Sequence, residues 1–153
     1  MTALPAGVAI RLAAGTDVPF IRMLGDAAFG EYDRRAGEYS VAASARATTL
    51  VAERAGESLG FAVVERDGPG SFHLAAIAVT ESARGMGVGS ALLRAAEAHA
   101  KSHGGTKLHL TTADSNVAAL SVFQKAGLRQ TRGGEGTYRR GQRSVRMEKT
   151  LGA

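Results

Sequence analysis

Apolar positions along the chain recur with two spacings, one helical and one extended. Val8 to Ala13 reads as a short strand. Thr16 and Asp17 then offer capping side chains, and Pro19 suits a first helical turn. Val18, Ile21, Leu24 and Ala28 repeat at helical spacing, which predicts an amphipathic helix over 17–29 stopped by Gly30. Residues 31–35 read as an exposed loop, and a weaker, Ala-rich helix is predicted over 37–47. Thr49 to Arg54 and Leu59 to Arg66 are rich in Val, Leu and Phe and predict two strands around the turn Ala55-Gly56-Glu57-Ser58. After the turn signal Asp67-Gly68-Pro69-Gly70, the apolar run Ser71 to Val79 predicts a central strand buried on both faces. Leu92, Leu93, Ala96 and Ala100 form the stripe of a helix over 90–103, ended by Gly104-Gly105. Lys107 to Thr112 is a strand. Asn116 to Ala126 is a short helix capped by Asp114 or Asn116, and Leu128 to Thr131 and Ser144 to Thr150 are strands around a polar loop, 132–143.

The predicted order is β-α-α-β-β-β-α-β-α-β-β, a mixed α/β or α+β architecture with seven strands and four helices. The β-α-β passage over 71–112 predicts a right-handed crossover between parallel strands; the other neighbours should pair antiparallel. The 153 residues, 44% hydrophobic and 22% charged, suit one soluble domain spanning 1–153 with a sizeable core. No apolar run reaches the ~18–20 residues that span a bilayer, so no membrane partner is expected. The first ten residues lack a charged segment ahead of a hydrophobic core, which makes the cytoplasm the expected compartment. With no cysteine, the protein carries no disulfide and no covalent thioester of its own. The net charge is +5, and much of the excess lies late, at Arg129, Arg132, Arg139, Arg140, Arg143, Arg146 and Lys149. A basic balance suits nucleic acid, a membrane surface or a phosphorylated ligand. Aromatics at 5% and no Trp speak against a base-stacking nucleic-acid binder.

The most informative stretch joins the apolar strand to the third helix: Val79-Thr80-Glu81-Ser82-Ala83-Arg84-Gly85-Met86-Gly87-Val88-Gly89-Ser90. Three glycines at alternate positions let a backbone turn tightly and approach a ligand closely. Free N–H groups and the dipole at the helix start favour an anion, with phosphate or pyrophosphate the natural guest. A P-loop is excluded because Gly89 precedes Ser90 with no Lys between them. The dinucleotide fingerprint is excluded by the spacing Gly85-x-Gly87-x-Gly89 and by its place after the fourth strand.

The turn does match Arg/Gln-x-x-Gly-x-Gly/Ala through Arg84, Gly87 and Gly89, and here the sequence resembles the GNAT superfamily of N-acetyltransferases. The resemblance extends to Asn116-Val-Ala-Ala-Leu-Ser-Val-Phe-Gln-Lys-Ala-Gly-Leu, which is similar to that family's Asn-x-x-Ala-x-x-x-Tyr-x-Lys-x-Gly-Phe. The opening strand and helix, ending in Ala28-Phe29-Gly30, are also similar, so the likeness covers essentially the whole chain. It implies a GNAT-like fold with a mixed, mostly antiparallel central sheet. It also implies acetyl-CoA as co-substrate, an amine acceptor, direct transfer in a ternary complex, no metal and a possible homodimer through the final strand. The implied contacts are the backbone of Arg84, Gly85, Met86, Gly87, Val88, Gly89 and Ser90 for pyrophosphate. Ile77, Ala78 and Val79 would run along the pantetheine arm, and Asn116 would reach it from the other side. Asn116 can equally be a plain helix cap.

The resemblance further implies that a backbone N–H at the end of the fourth strand, here Val79, polarises the thioester carbonyl. The family often places a Glu six positions earlier, where this chain has His73. An imidazole can act as general base at neutral pH, although a strand His can also be a substrate partner. Glu81 is an alternative base. The family's general acid is a Tyr where this chain has Phe123, which has no proton to give. That leaves thiolate loss unaided, or aided by water or Tyr138, with Phe123 packing on the CoA arm. The substitution also admits a second function, a CoA-binding regulatory module without turnover. His99 and His103 have metal-ligand spacing but no further ligands, so they read as an exposed helix face, and His109 reads as structural. The acceptor is expected near 30–40 and 132–143, which carry acids (Glu31, Asp33, Glu38, Glu135) as well as bases, so neither acceptor charge is favoured.

Overall fold

Residues 4–152 are described by the computed structural model, with 132–135 described as backbone alone; the side chains of Arg132 and Glu135 lie outside the described part. Strand β1 (Val8–Leu12) enters helix α1 (Val18–Phe29) through a 3-10 turn at Gly15–Asp17. Asp17 stands at the N-cap position of α1, but its side chain makes no capping bond to that helix. Its carboxylate accepts from the Ala14 N–H at 2.7 Å and is held by both Arg11 amino nitrogens at 2.8 and 2.9 Å. Helix α2 (Ala36–Arg46) follows. The segment before it is the expected loop, exposed at Glu31, Arg34 and Arg35, except that Tyr32 is only 8% exposed because its ring lies against Tyr138.

Strands β2 (Thr48–Arg54), β3 (Glu57–Gly68) and β4 (Ser71–Val79) form a meander. Helix α3 (Val88–Ser102) starts two residues earlier than its polar cue at Ser90, since Gly87 takes the left-handed conformation that ends the turn. Strand β5 (Lys107–Ala113), helix α4 (Val117–Lys125) and strands β6 (Arg129–Thr137) and β7 (Arg143–Thr150) complete the chain. The expected polar loop over 132–143 is thus shorter. Gly136 and Thr137 pair with Ser144 and Arg143 across the hairpin, and the Gly136 N–H donates to Ser144 Oγ at 2.8 Å. Pairing with β7 overrides the poor strand propensity of a glycine-rich segment.

The strands run in the spatial order β1-β2-β3-β4-β5-β7-β6, all neighbours antiparallel except β4 and β5, which are parallel through the α3 crossover. This is the expected mixed, mostly antiparallel sheet of seven strands and four helices. One face packs on α3 and α4 through Leu92, Leu93, Phe72, Leu108, Phe123 and Met147; the other packs on α1 and α2 through Ile21, Leu24, Val51, Phe61 and Val63. Burying each such large side chain is worth about 1.5–3 kcal/mol. β4 departs from the expectation of burial on both faces: His73, Ala75, Ala76, Ile77 and Val79 stay half-buried, because part of the strand borders an open cleft. No helix among the described residues is long and apolar enough to cross a membrane.

Candidate active site

The chain builds its anion turn from φ angles that only glycine adopts freely. Gly85 and Gly87 have φ of +78° and +83°, and Gly87 immediately precedes α3. The first intrahelical bond runs from Ala91 N–H to Gly87 O at 3.0 Å, so helix geometry gives the N–H groups of Val88, Gly89 and Ser90 no acceptor within α3. No acidic side chain occupies the first turn of α3. Buried Val88 pins the turn to the core, Met86 packs beside it, and Arg84 is exposed. Added Cβ atoms would meet nothing within 4 Å at Gly85 and only Val79 Cγ2, at 3.6 Å, at Gly89. The turn therefore lies open and abuts the end of β4.

Next to it the sheet divides. The parallel ladder between β4 and β5 covers only Ser71–His73 against Lys107–His109. Beyond that rung β4 keeps its partner β3 through Gly60↔Val79 and loses β5. Thr80 N–H donates to Leu59 O on the β3 side at 2.8 Å. Alternation along the strand then turns the N–H and C=O groups of Ile77 and Val79 the other way, into the gap. Ala78 faces β3 instead, and its side chain is buried.

The gap widens into a cleft of about 540 Å³ lined by β4, β5, α2, the start of α4 and the β6–β7 hairpin. His73, Ile77, Asn116 and Phe123 all line it, together with Glu65, Tyr32 and Tyr138. Asn116 is the cap of α4, its Oδ1 accepting from Ala119 N–H at 3.2 Å, so the capping reading holds. The cap uses Oδ1 alone, and Asn116 also lines the cleft. Phe123 is 4% exposed and joins the core beneath the cleft. Burial pushes the Tyr138 phenol up, as it does Tyr32, where Glu31 adds to the effect, so both stay protonated at neutral pH. Glu81 is exposed and does not line the cleft.

A model of the acetyltransferase (GNAT) family matches residues 19–128. The chain belongs to the GNAT acetyltransferase family. Solved structures share its fold. Ard1 from Thermoplasma volcanium is 20% identical with a TM-score of 0.84, covering 97% of this chain and 100% of that one. The putative acetyltransferase YncA from Salmonella typhimurium, solved with its cofactor acetyl-CoA, is 20% identical with a TM-score of 0.79, covering 95% of each chain. A Bacillus subtilis acetyltransferase in complex with CoA is 22% identical with a TM-score of 0.70, covering 94% of this chain and 99% of that one. A search of curated proteins finds no match.

The residues of this GNAT chain fit the two ends of such a ligand. Free N–H groups at an open, acid-free helix start suit a pyrophosphate. A strand edge with unpaired amides suits an extended arm that can hydrogen-bond as a strand does. His109, read as structural, has two partners: its Nε2 meets Asp67 Oδ2 at 2.5 Å, and its ring stacks on His73 with centroids 4.9 Å apart. Burial lowers its pKa despite Asp67. Burial also pushes the Asp67 carboxyl up, but hydrogen bonds from Ser71 and His109 hold it below the ordinary value. His99 is half-buried edge-on to Phe72 and not on a fully exposed face, and the described residues hold no cluster suited to a metal. Sequence reasoning missed Glu65, whose Oε1 lies 3.1 Å from His73 Nδ1. Its place was hidden from the turn alone: continued regularly from Gly68↔Ser71, the hairpin would set Arg66 opposite His73, and the register shift between Arg66 and Gly68 brings Glu65 there instead.

Proposed function

We propose that the protein transfers an acetyl group from acetyl-CoA to a primary amine of a small molecule or protein by direct attack in a ternary complex. The observation that carries this reading is the parting of β4 from β5 beside the glycine turn, which exposes backbone amides between an anion site and a cleft. Acetyl-CoA supplies the acyl group as a thioester whose sulfur leaves as the C–N bond forms. Arg84 to Ser90 hold the pyrophosphate through backbone N–H groups. Ile77 and Val79 pair with the pantetheine arm, and Asn116 and Phe123 close its other side. A backbone N–H on β4 polarises the carbonyl; Val79 is the residue the family pattern implies, and Ile77 offers a second N–H deeper in the cleft. His73 takes the proton that the attacking amine must lose, and Tyr138, a neutral phenol lining the same cleft, returns one to the sulfur.

The acid position held by Phe123 favours one second reading, a CoA-binding regulatory module of the same fold. Mass spectrometry of a broad amine panel incubated with acetyl-CoA separates the two. The expected result is a product 42 Da heavier (the mass an acetyl group adds on replacing hydrogen, about 42 by composition). CoA binding without turnover of any amine supports the module, and no CoA binding at millimolar ligand removes both. His73→Ala is expected to lower kcat by about 10²–10⁴-fold while leaving CoA affinity unchanged.

A further inference from the structure

His73 stands at the last rung of the β4–β5 ladder, where the strands begin to part. It pairs across one strand with Glu65 and across the other with His109, so the three side chains form a row on one sheet face. Glu65 and His73 both line the cleft, with side chains 29% and 30% exposed. An ionised carboxylate can only accept a hydrogen bond. The 3.1 Å contact between Glu65 Oε1 and His73 Nδ1 therefore requires the proton on Nδ1. In the neutral ring, that leaves the lone pair on Nε2, which has no protein partner among the described residues. The His109 ring lies nearly parallel beside it, at an interplanar angle of 16°, and is itself held through Nε2 by Asp67. The stack restrains rotation about the His73 side chain, and the carboxylate selects which nitrogen is basic.

We propose that Glu65 is the positioning residue of the acetyl transfer: it fixes His73 in the Nδ1–H tautomer and presents Nε2 to the acceptor amine. This rests on the reading of His73 as the base. When the amine attacks, its proton moves to Nε2, and the resulting imidazolium keeps its Nδ1–H bond to the Glu65 carboxylate, which offsets the new charge. No proton need pass to Glu65 itself. Glu65 touches neither acceptor nor acyl group in this scheme and acts through His73.

The test combines the long-range ¹H–¹⁵N spectrum of the His73 ring with kinetics on the parent, Glu65→Gln and Glu65→Leu. The parent ring, when neutral, is expected to show the Nδ1–H pattern. Glu65→Gln keeps an acceptor oxygen and should retain that pattern, with kcat within about threefold of the parent. Glu65→Leu should lose the pattern and about 10–100-fold in kcat, part of the ~10²–10⁴-fold a general base contributes. CoA affinity should hold within about twofold in both. A parent ring protonated on Nε2, or a Glu65→Leu variant with the tautomer changed and kcat intact, overturns the proposal. The parent spectrum is decisive even if Glu65→Leu does not fold. If no amine is acetylated yet the pattern appears in the parent and vanishes in Glu65→Leu, the transfer reading fails while the positioning contact stands.

Discussion

Gly87 and Gly89 differ in what they ask of the chain, and substitution should separate the two demands. Gly87 sits at φ +83°, so Gly87→Asp adds backbone strain of about 1 kcal/mol to the placement of a negative charge. Gly89 lies within the helix start at an ordinary φ, with 3.6 Å of clearance to Val79 Cγ2, so Gly89→Asp should fold as well as the parent. Both should weaken CoA binding by tenfold or more, about 1.4 kcal/mol, since the new carboxylate repels the pyrophosphate. Calorimetry with CoA, alongside a melting curve for each variant, checks both parts. At Phe123 the ring is retained in Phe123→Tyr and a proton donor is added to the cleft. CoA affinity should stay within about twofold, and kcat should rise if sulfur protonation limits turnover, by up to the ~10²–10⁴-fold reach of general acid catalysis. A fall in both kcat and affinity would show instead that the cleft has no room for the hydroxyl.

At the scale of elements, α1 and α2 pack unusually close because of two glycines. A Cβ on Gly25 would lie 2.4 Å from Ser40 Oγ, and one on Gly37 2.5 Å from Arg22 O and 2.6 Å from the Asp26 carboxyl. The Gly37 N–H also donates to Asp26 Oδ1 at 2.7 Å. Gly37→Ala should therefore push the helices apart and destabilise the fold by about 1–3 kcal/mol, read as a lower urea midpoint at unchanged m-value. Gly25→Ala faces a side-chain hydroxyl in part and should cost less. Neither glycine announced itself in the sequence, where both lie inside helical periodicity. Local signals served well where the information was local: the stripe Leu92, Leu93, Ala96, Ala100 located α3, and the turn glycines located its start to within two residues. They failed where distant chain decides. Tyr32 is buried by Tyr138, β6 is extended by β7, and His109 finds Asp67 across 42 residues. The candidate site was legible through its motifs at Arg84–Ser90 and Asn116–Leu128. Glu65 was not, because its role depends on the register of a hairpin.

For the whole molecule, acid should act in two stages. Burial holds His109 and His99 below the ordinary 6.5, with the charge of His103 adding to the effect at His99. As pH falls past that value the unfolded chain binds protons that the folded chain refuses, so stability falls on acidification from about neutral pH downward. Asp17 acts in a lower window: its hydrogen bonds from Arg11 hold it below the ordinary 3.8, and the stability they add is lost as pH falls through its depressed folded value. Urea midpoints at pH 8, 6, 5 and 3 should decline in that order; a flat response between pH 8 and 5 would show that the histidines are solvated.

A seven-stranded sheet has two edges, here β1 and β6, but the divergence of β4 from β5 gives this one a rim in its interior. Amide hydrogen exchange should register it. Thr80, just past the end of β4 and bonded to Leu59, should exchange slowly, while Ile77 and Val79 of β4 should exchange like residues at a sheet border. Saturating CoA should slow those two amides and leave Thr80 unchanged. An open rim is also a surface where a stray extended segment can add itself, a hazard usually countered at a border by charge or proline. Here the slot is flanked by α2 and α4, so only a narrow chain can enter. The same confinement that admits a thin ligand arm keeps the middle of the sheet from templating aggregation.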